Sequence, residues 1–351
     1  MEALDYGDAV SSITISVKEL LGKSGYTSQV LTKFCNDKVQ KYAVPYESVK
    51  INSDDIVIFH YWNYNTLGSW INKIKCKKVF WYHNITPECF YEPGSQGVVN
   101  YRKAQKQIQE ILPSFNLLIG DSEYNVSELR DITGLDTTGF AIPPALDIDE
   151  LKEKKYDEKL LKELKKDSVV NIIFVGRFAP NKAHNDIINI FRYYNKFINR
   201  KSKLHLIGNN VDFPDYVSML GNMIEEMELV DSAFIHGKVS YEEMYSYYHG
   251  ADLFLSMSDH EGFCCPLIEA MVFEIPVVAY EAAAVPETMG GAGTLVNTKD
   301  PYLVGELINI ILSQPGLKEQ ITEKQKRICN KYTLDNVMSK LLEIDKIFTN
   351  C

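Results

Sequence analysis

In residues 252–271, Asp252-Leu253-Phe254-Leu255-Ser256-Met257-Ser258-Asp259-His260-Glu261-Gly262-Phe263-Cys264-Cys265-Pro266-Leu267-Ile268-Glu269-Ala270-Met271, an apolar run passes through a short polar loop into a helical pattern. Residues 252–256 predict a buried strand. Pro266 suits a first helical position, where its fixed φ and missing N–H cost nothing. Leu267, Ala270 and Met271 then share one helical face. Strand, loop and helix in that order leave free N–H groups and a positive dipole end beside the loop, which favours an anion. Glu261 and Glu269 bracket this point. On one straight helix they would stand about 12 Å apart, but the loop and Pro266 let them approach one extended ligand from different sides. Carboxylates accept from sugar hydroxyls, so the pattern suits a ligand with phosphate in its middle and hydroxyl-bearing rings at both ends, as in a nucleotide sugar. The plainer alternative is a solvated loop glutamate and a second one favouring the helix dipole.

Outward from this stretch, short apolar runs alternate with helical patterns. Strands are expected at 169–175, 204–208, 233–237, 276–280 and 294–296, with helices near 184–198, 214–228, 241–249, 266–273 and 301–313. The first third shows the same alternation, with strands at 29–31, 55–59, 77–82, 116–120 and 139–142 and helices at 13–23 and 99–112. Such alternation predicts parallel sheets in doubly wound α/β domains. Only Met1 to Leu4 precede the Gly7 turn, so the opening strand is expected to be short, or to begin upstream of Met1. After Pro143-Pro144 a charged helix is expected over Leu151 to Lys166 as a solvated crossing between domains.

The 351 residues suffice for two domains. A net charge of −10 disfavours sequence-blind nucleic-acid binding, which needs a basic surface. No run approaches the ~20 apolar residues of a membrane span, and the N-terminus lacks the basic start and apolar core of a signal peptide. Seven cysteines, Cys35, Cys76, Cys89, Cys264, Cys265, Cys329 and Cys351, show no zinc spacing and suit a reducing, cytoplasmic setting. Lys73, Lys75, Lys77 and Lys78 form a basic cluster, either a solvated strand edge or a contact for the inner face of an anionic membrane. No Gly-x-Gly-x-x-Gly follows a strand with a downstream acid, which disfavours a nicotinamide enzyme.

A second motif, Gly176-Arg177-Phe178-Ala179-Pro180-Asn181-Lys182, closes the 169–175 strand. Ligands of open α/β sheets sit beyond the carboxyl ends of the strands. Arg177 can grip a diphosphate bidentately and Lys182 adds a point charge.

Gly176-Arg177…Lys182 with Glu261-x7-Glu269, after a Gly7-bearing start, resembles the retaining nucleotide-sugar glycosyltransferases of the GT-B fold, family four (glycosyl transferases group 1). Tyr6-Gly7-Asp8-Ala9-Val10-Ser11, Tyr82-His83-Asn84-Ile85-Thr86-Pro87, Asp121-Ser122-Glu123-Tyr124-Asn125 and Val285-Pro286-Glu287-Thr288 fit a bacterial group that builds surface polysaccharides. The resemblance implies two tandem Rossmann-like domains whose parallel sheets face a central cleft. The acceptor-side domain would cover 1–145, with a C-terminal helix at 334–351 packing back on it, and the donor domain 146–333. It implies that Arg177 and Lys182 neutralise the diphosphate, Glu269 binds the ribose and Glu261 contacts the donor hexose. Backbone N–H groups of Gly262, Phe263, Cys264 and Cys265 would hold sugar and phosphate. Gly7 and Asp8 would bring the first loop to the diphosphate, with Gly176 at the same end of the donor. His83 would face the cleft and touch the sugar or β-phosphate, and Lys238-Val239 would lie beside the base. Cys264-Cys265 depart from the small or apolar residues usual in that loop, and Ala284-Val285 stand where the family often has Gly-Gly.

The implied activity is transfer of a hexose from a nucleoside-diphosphate sugar to a hydroxyl of a glycan or lipid-linked acceptor, with retention and without metal or cofactor. Asp147-Ile148-Asp149, formally an Asp-x-Asp, falls in the domain crossing and is read as solvated. The alternatives are a nucleotide-sugar epimerase of the same architecture and a non-catalytic partner subunit of a glycosyltransferase complex. Base, hexose, acceptor, linkage and oligomeric state are not legible.

Overall fold

The computed structural model describes residues 1–134 and 138–349, so Cys351 and the last two residues of the expected C-terminal helix lie outside the described residues. The chain forms two compact units, residues 1–146 with 331–351, and residues 147–330.

The first unit contains β1 (Ala3–Leu4), α1 (Ala9–Lys23), β2 (Val30–Thr32), β3 (Phe34–Cys35), β4 (Ala43–Pro45), β5 (Ile56–Tyr61), α2 (Gly68–Ile71), β6 (Lys77–Tyr82), α3 (Gln96–Ile111), β7 (Leu117–Gly120), α4 (Glu123–Thr133) and β8 (Gly139–Ala141), and later α14 (Leu334–Thr349). Strands β5-β6-β7-β8 form a parallel sheet in that order, β1 pairs with β3 and β2 with β4. The opening strand is two residues long, but Leu4 is fully buried beside Val10, Val30 and Val39. Strand alternation sends Phe59, Tyr61, Phe80 and Tyr82 to the face covered by α3. Val79 and Trp81 go to the other face, where they meet Ile13 and Val17 of α1 and Val337, Leu341 and Phe348 of α14.

The basic cluster is not the solvated strand edge that was one of its two readings. β6 is an interior strand, not an edge. Lys78 is buried, its Nζ donating to Ser114 Oγ at 3.0 Å and lying over the Phe115 ring, and burial lowers its pKa. Lys77 Nζ donates to Phe348 O at 2.6 Å. Only Lys73 and Lys75 remain exposed.

The second unit contains α5 (Ile148–Glu153), α6 (Glu158–Leu164), β9 (Val170–Val175), α7 (His184–Tyr193), β10 (Ser202–Ile207), α8 (Pro214–Glu226), β11 (Ala233–Gly237), α9 (Tyr241–Gly250), β12 (Leu253–Ser256), α10 (Cys265–Val272), β13 (Val277–Tyr280), α11 (Val285–Met289), β14 (Thr294–Val296), α12 (Pro301–Ser313) and α13 (Leu317–Cys329). The single helix expected over 151–166 is two. Asp157 accepts from the N–H groups of Lys159 and Leu160, an N-cap that restarts the chain as α6. Asp147 likewise caps α5 by accepting from Glu150 N at 2.9 Å.

The six parallel strands run β11-β10-β9-β12-β13-β14. Numbered from β9 this is 3-2-1-4-5-6, the doubly wound order of dinucleotide-binding sheets. Successive crossovers reverse direction between β9 and β12. Their diverging loops leave a crevice there, at the carboxyl ends of the strands. Among the described residues no helix is long and apolar enough to cross a membrane.

Candidate active site

Both motif loops of the second unit leave the sheet at this switch point. Gly208, just past β10, has φ +151°, and a Cβ there would meet Gly176 O at 1.9 Å. A glycine is therefore required where the ends of β9 and β10 press together. Gly176 N donates to Ile207 O at 2.9 Å and Phe178 N to Asn209 O at 2.8 Å. Arg177 projects from this braced turn, 45 % exposed, with Asp212 at 3.8 Å and the Phe213 ring below it.

The turn continues to Asn181, which clasps the β12 loop from both ends. Asn181 O accepts from Asp259 N at 2.8 Å, and Asn181 Nδ2 donates to His260 O at 3.0 Å. This clasp sets Lys182 against Glu261, with Nζ to Oε2 at 2.6 Å and side chains 18 % and 6 % exposed. The structure therefore joins Lys182 to Glu261, whereas Arg177 stands apart. Glu261 Oε1 is buried and takes no hydrogen bond among the described residues. A buried acceptor left unmatched costs about 1–3 kcal/mol, and a ligand hydroxyl would satisfy it. Lys299 bridges Asp259 at 2.6 Å and Asp186 at 2.9 Å, bracing the loop from its far side.

Helix α10 begins at Cys265, one residue before Pro266, so Glu269 lies beyond its first turn. Cys264 caps the helix in the left-handed region (φ +75°), with no side-chain cap. A non-glycine residue held there stores strain of a kind concentrated at functional sites. Burial, and then the Glu261 carboxylate, push the Cys264 thiol well up, so it is a poor nucleophile. Phe263 O accepts from Thr288 Oγ1 at 2.6 Å, and Glu261 O from Ala284 N at 3.2 Å. Gly262 lies between these two tethers. Glu269 Oε2 accepts from Tyr248 OH at 2.6 Å. Burial raises the Glu269 pKa although this hydrogen bond opposes the rise. Lys238 is exposed and Val239 half-buried just past β11, at the same end of the sheet.

In the first unit Gly7 has φ +82° in the turn after β1. Asp8 is spent as the cap of α1, accepting from Ser11 N at 2.8 Å and Ser11 Oγ at 2.9 Å. His83 departs from expectation. Its side chain is 1 % exposed and both ring nitrogens are engaged. Nδ1 meets the Asp121 carboxylate at 2.9–3.0 Å, and Nε2 meets His60 Nδ1 at 2.8 Å. Trp81 Nε1 donates to Asp121 Oδ1 at 2.9 Å. A ring held this way cannot present a free nitrogen outward.

The sequence reading missed His60, Tyr248, Asn181 and Lys299. The β5–β6 register pairs His60 with Trp81, so strand pairing held the signal for His60. Also missed was Glu128, whose Oε2 accepts from Tyr82 OH at 2.8 Å and Asn84 Nδ2 at 2.9 Å. Burial pushes the Glu128 carboxyl up to about 7.

Residues 155–328 match the sequence profile of the family described as "Glycosyl transferases group 1". Among curated proteins, the chain is similar to an uncharacterized 41.2 kDa protein in the cps region of Klebsiella pneumoniae, with 27% identity over 68% of this chain and 62% of that one. It is also similar to the lipopolysaccharide 1,2-N-acetylglucosaminetransferase of Salmonella typhimurium, with 27% identity over 49% of this chain and 47% of that one. The chain thus spans less than two thirds of either relative. Among solved structures, HepE of Anabaena in complex with UDP-glucose superposes with TM-score 0.75 at 17% identity, covering 98% of both chains. A glycosyltransferase from Rickettsia africae ESF-5 gives TM-score 0.75 at 17% identity over 100% of this chain and 98% of that one. At such identity the structural likeness speaks for the fold, that of the GT-B enzymes.

Proposed function

We propose that this chain, whose second unit belongs to the glycosyl transferases group 1, moves a hexose from a nucleoside diphosphate to a hydroxyl of a glycan or lipid-linked acceptor in polysaccharide synthesis. The observation that carries the reading is the clasped pair Lys182–Glu261 at the β9/β12 switch point, with Glu261 Oε1 buried and unmatched. An anion-tolerant cation and a sugar-accepting carboxylate in one crevice suit a sugar phosphate better than either group alone. The UDP-glucose held by the Anabaena neighbour is in keeping with this.

Arg177 and Lys182, with the N-terminus of α10, supply fixed positive potential for the departing diphosphate. Glu261 takes a hexose hydroxyl and Glu269 the ribose. The bond from the anomeric carbon to the phosphate oxygen breaks as the acceptor oxygen forms its bond on the same face. The acceptor proton passes to the leaving phosphate oxygen, so configuration is retained. Neither metal nor cofactor enters this scheme. A cytoplasmic setting accords with the free cysteines.

Thermal shift with UDP, GDP, ADP and dTDP sugars, with and without EDTA, tests the reading, since a ligand bound by the folded state raises the midpoint. One diphosphate family is expected to shift the midpoint, unaffected by EDTA and lost in Glu269→Ala and Arg177→Ala. A panel without any shift refutes it, and rescue of an EDTA loss by Mn²⁺ refutes the metal-free scheme. Product NMR showing inversion refutes front-face attack. Isomerised sugar and free nucleotide formed without an acceptor would instead mark an epimerase.

A further inference from the structure

The first unit holds a cavity of about 430 Å³ that the transfer scheme does not use, between the segment after β5 and helix α3. Every residue lining it belongs to that unit. Its volume is that of a ligand cleft, for which about 300–1,000 Å³ is usual. The wall is pinned from beneath. Gln107 of α3 is buried, its Oε1 accepting from Tyr61 OH at 2.9 Å and Asn65 N at 2.9 Å, its Nε2 donating to Asn65 O at 2.7 Å. A Cβ on Gly68 would meet Gln107 Nε2 at 2.3 Å, so the segment lies tight on the helix. A wall ordered in advance spares a ligand the cost of ordering it.

The polar groups of the lining are not spent on one another. Ser69 Oγ and the Asn72 side-chain amide make no hydrogen bond among the described residues. Lys103 Nζ is held 5.9 Å from the centroid of the Tyr64 ring and pairs with no carboxylate among the described residues. Glu110, the acid in the lining, stands 3.8 Å from Lys106. The cavity therefore keeps one unbalanced ammonium, in a chain of net charge −10.

This set of groups selects a ligand. An amide both donates and accepts, which matches a ring of sugar hydroxyls, whereas a bare phosphate oxygen only accepts and would leave the amide oxygen unused. The tyrosine adds an apolar body with a polar tip, and the ammonium attracts an anion as a point charge. We infer that the cavity holds a saccharide carrying a carboxylate, a uronic-acid unit of a glycan, with the carboxylate on Lys103 and ring hydroxyls on Asn72 and Ser69. The ligand class comes from the cavity itself; its use, keeping hold of the glycan under extension, rests on the transferase reading.

Titration calorimetry with tetrasaccharides tests it. The acidic probes are oligomers of mannuronate, of galacturonate and of alternating glucuronate and N-acetylglucosamine; chitotetraose and maltotetraose are the neutral ones. At least one acidic probe is expected to bind about tenfold more tightly than either neutral one, the worth of one charge-assisted hydrogen bond. Lys103→Gln should remove that advantage and Asn72→Ala should weaken binding about fivefold. Lys73→Gln, at an exposed lysine outside the lining, should change nothing. All three substitutions fall on exposed residues, so the far-UV melting midpoint should stay in place. Binding of no acidic probe overturns the inference. So does an equal loss in Lys73→Gln, or displacement by inorganic phosphate at equal concentration, which would mark a site for any anion. If an acidic glycan binds while no nucleotide sugar shifts the melting midpoint, the site stands and its use in transfer falls. Donor binding without glycan binding removes the site alone.

Discussion

Replacing Lys182 by Met removes the ammonium from the Glu261 carboxylate while keeping the length of the side chain. The carboxylate is 6 % exposed, and its other oxygen already lacks a partner, so the variant leaves a buried charge unmatched. Breaking a buried pair in this way costs about 3–5 kcal/mol. Lys182 is 18 % exposed and water reaches its end of the pair, which favours the lower figure, about 3 kcal/mol. Proton uptake sets a ceiling. Protonating an ordinary glutamate at pH 7.5 costs about 4 kcal/mol, at about 1.4 kcal/mol per pH unit. The deficit should therefore shrink by about 1–2 kcal/mol at pH 5.5, because the orphaned carboxylate takes a proton more cheaply as pH falls. Urea titration reads this cleanly because Trp62, Trp70 and Trp81 all lie in the first unit. At a slope of about 2 kcal/mol per molar, the far-UV transition of the second unit should move down by about 1.5 M while tryptophan fluorescence stays in place. A second change, Glu261→Gln, added to Lys182→Met should return about half of the loss. An unmoved transition at pH 7.5, or a shift of equal size at pH 5.5, would refute the claim that Glu261 is held as a buried anion by Lys182.

Glu128, raised from 4.5 to about 7 when folded, ionises earlier in the unfolded chain, so wild-type stability should fall as pH rises between those values and level off above. Glu128→Gln should flatten that slope and exceed wild type by about 2 kcal/mol at pH 8 in the tryptophan transition; parallel pH curves would count against desolvation of the half-buried Glu128 carboxyl. Tyr248→Phe removes the hydrogen bond that holds the raised Glu269 carboxylate down. Nucleotide affinity that needs ionised Glu269 should weaken as pH falls, and the midpoint of that loss in binding isotherms should lie at higher pH in the variant; an unmoved midpoint would detach Glu269 from the ligand. Cys264→Gly should stay within about 1 kcal/mol of wild type, since glycine occupies φ > 0 without strain. Cys264→Val should lose about 2 kcal/mol by calorimetry, as β-branched residues are outliers there; equal melting points would show that the loop relaxes out of the left-handed region.

The second sheet was readable because its central strands are buried on both faces and appear as near-continuous apolar runs such as 170–175 and 253–256. Both loops at its switch point set charged residues close to glycine and proline, so they stood out as well. What escaped depends on distances between segments. Nothing local to His60 shows that it will lie opposite Trp81, and Tyr248 and Glu269 meet only because α9 and α10 pack on the same sheet. The break between α5 and α6 was hidden by charged residues of good helix propensity, and the Asp157 cap outweighed them. Lys77 and Lys78 looked solvated because lysine usually is. Pairing on both sides of β6 put one of them inside.

Because α14 completes the core of the first unit, that unit cannot finish folding until α14 itself has been synthesised, after the whole of the second unit. Residues 147–330, by contrast, form one uninterrupted segment and can condense as soon as they clear the ribosome. The usual amino-terminal-first order of vectorial synthesis is thereby reversed. Throughout that interval the surface formed by Val79, Trp81 and Ile119 lacks its α14 cover and offers bare apolar strands to chaperones or to other nascent chains. A stop codon ahead of α14 should accordingly injure the amino-terminal unit, with the second unit left intact.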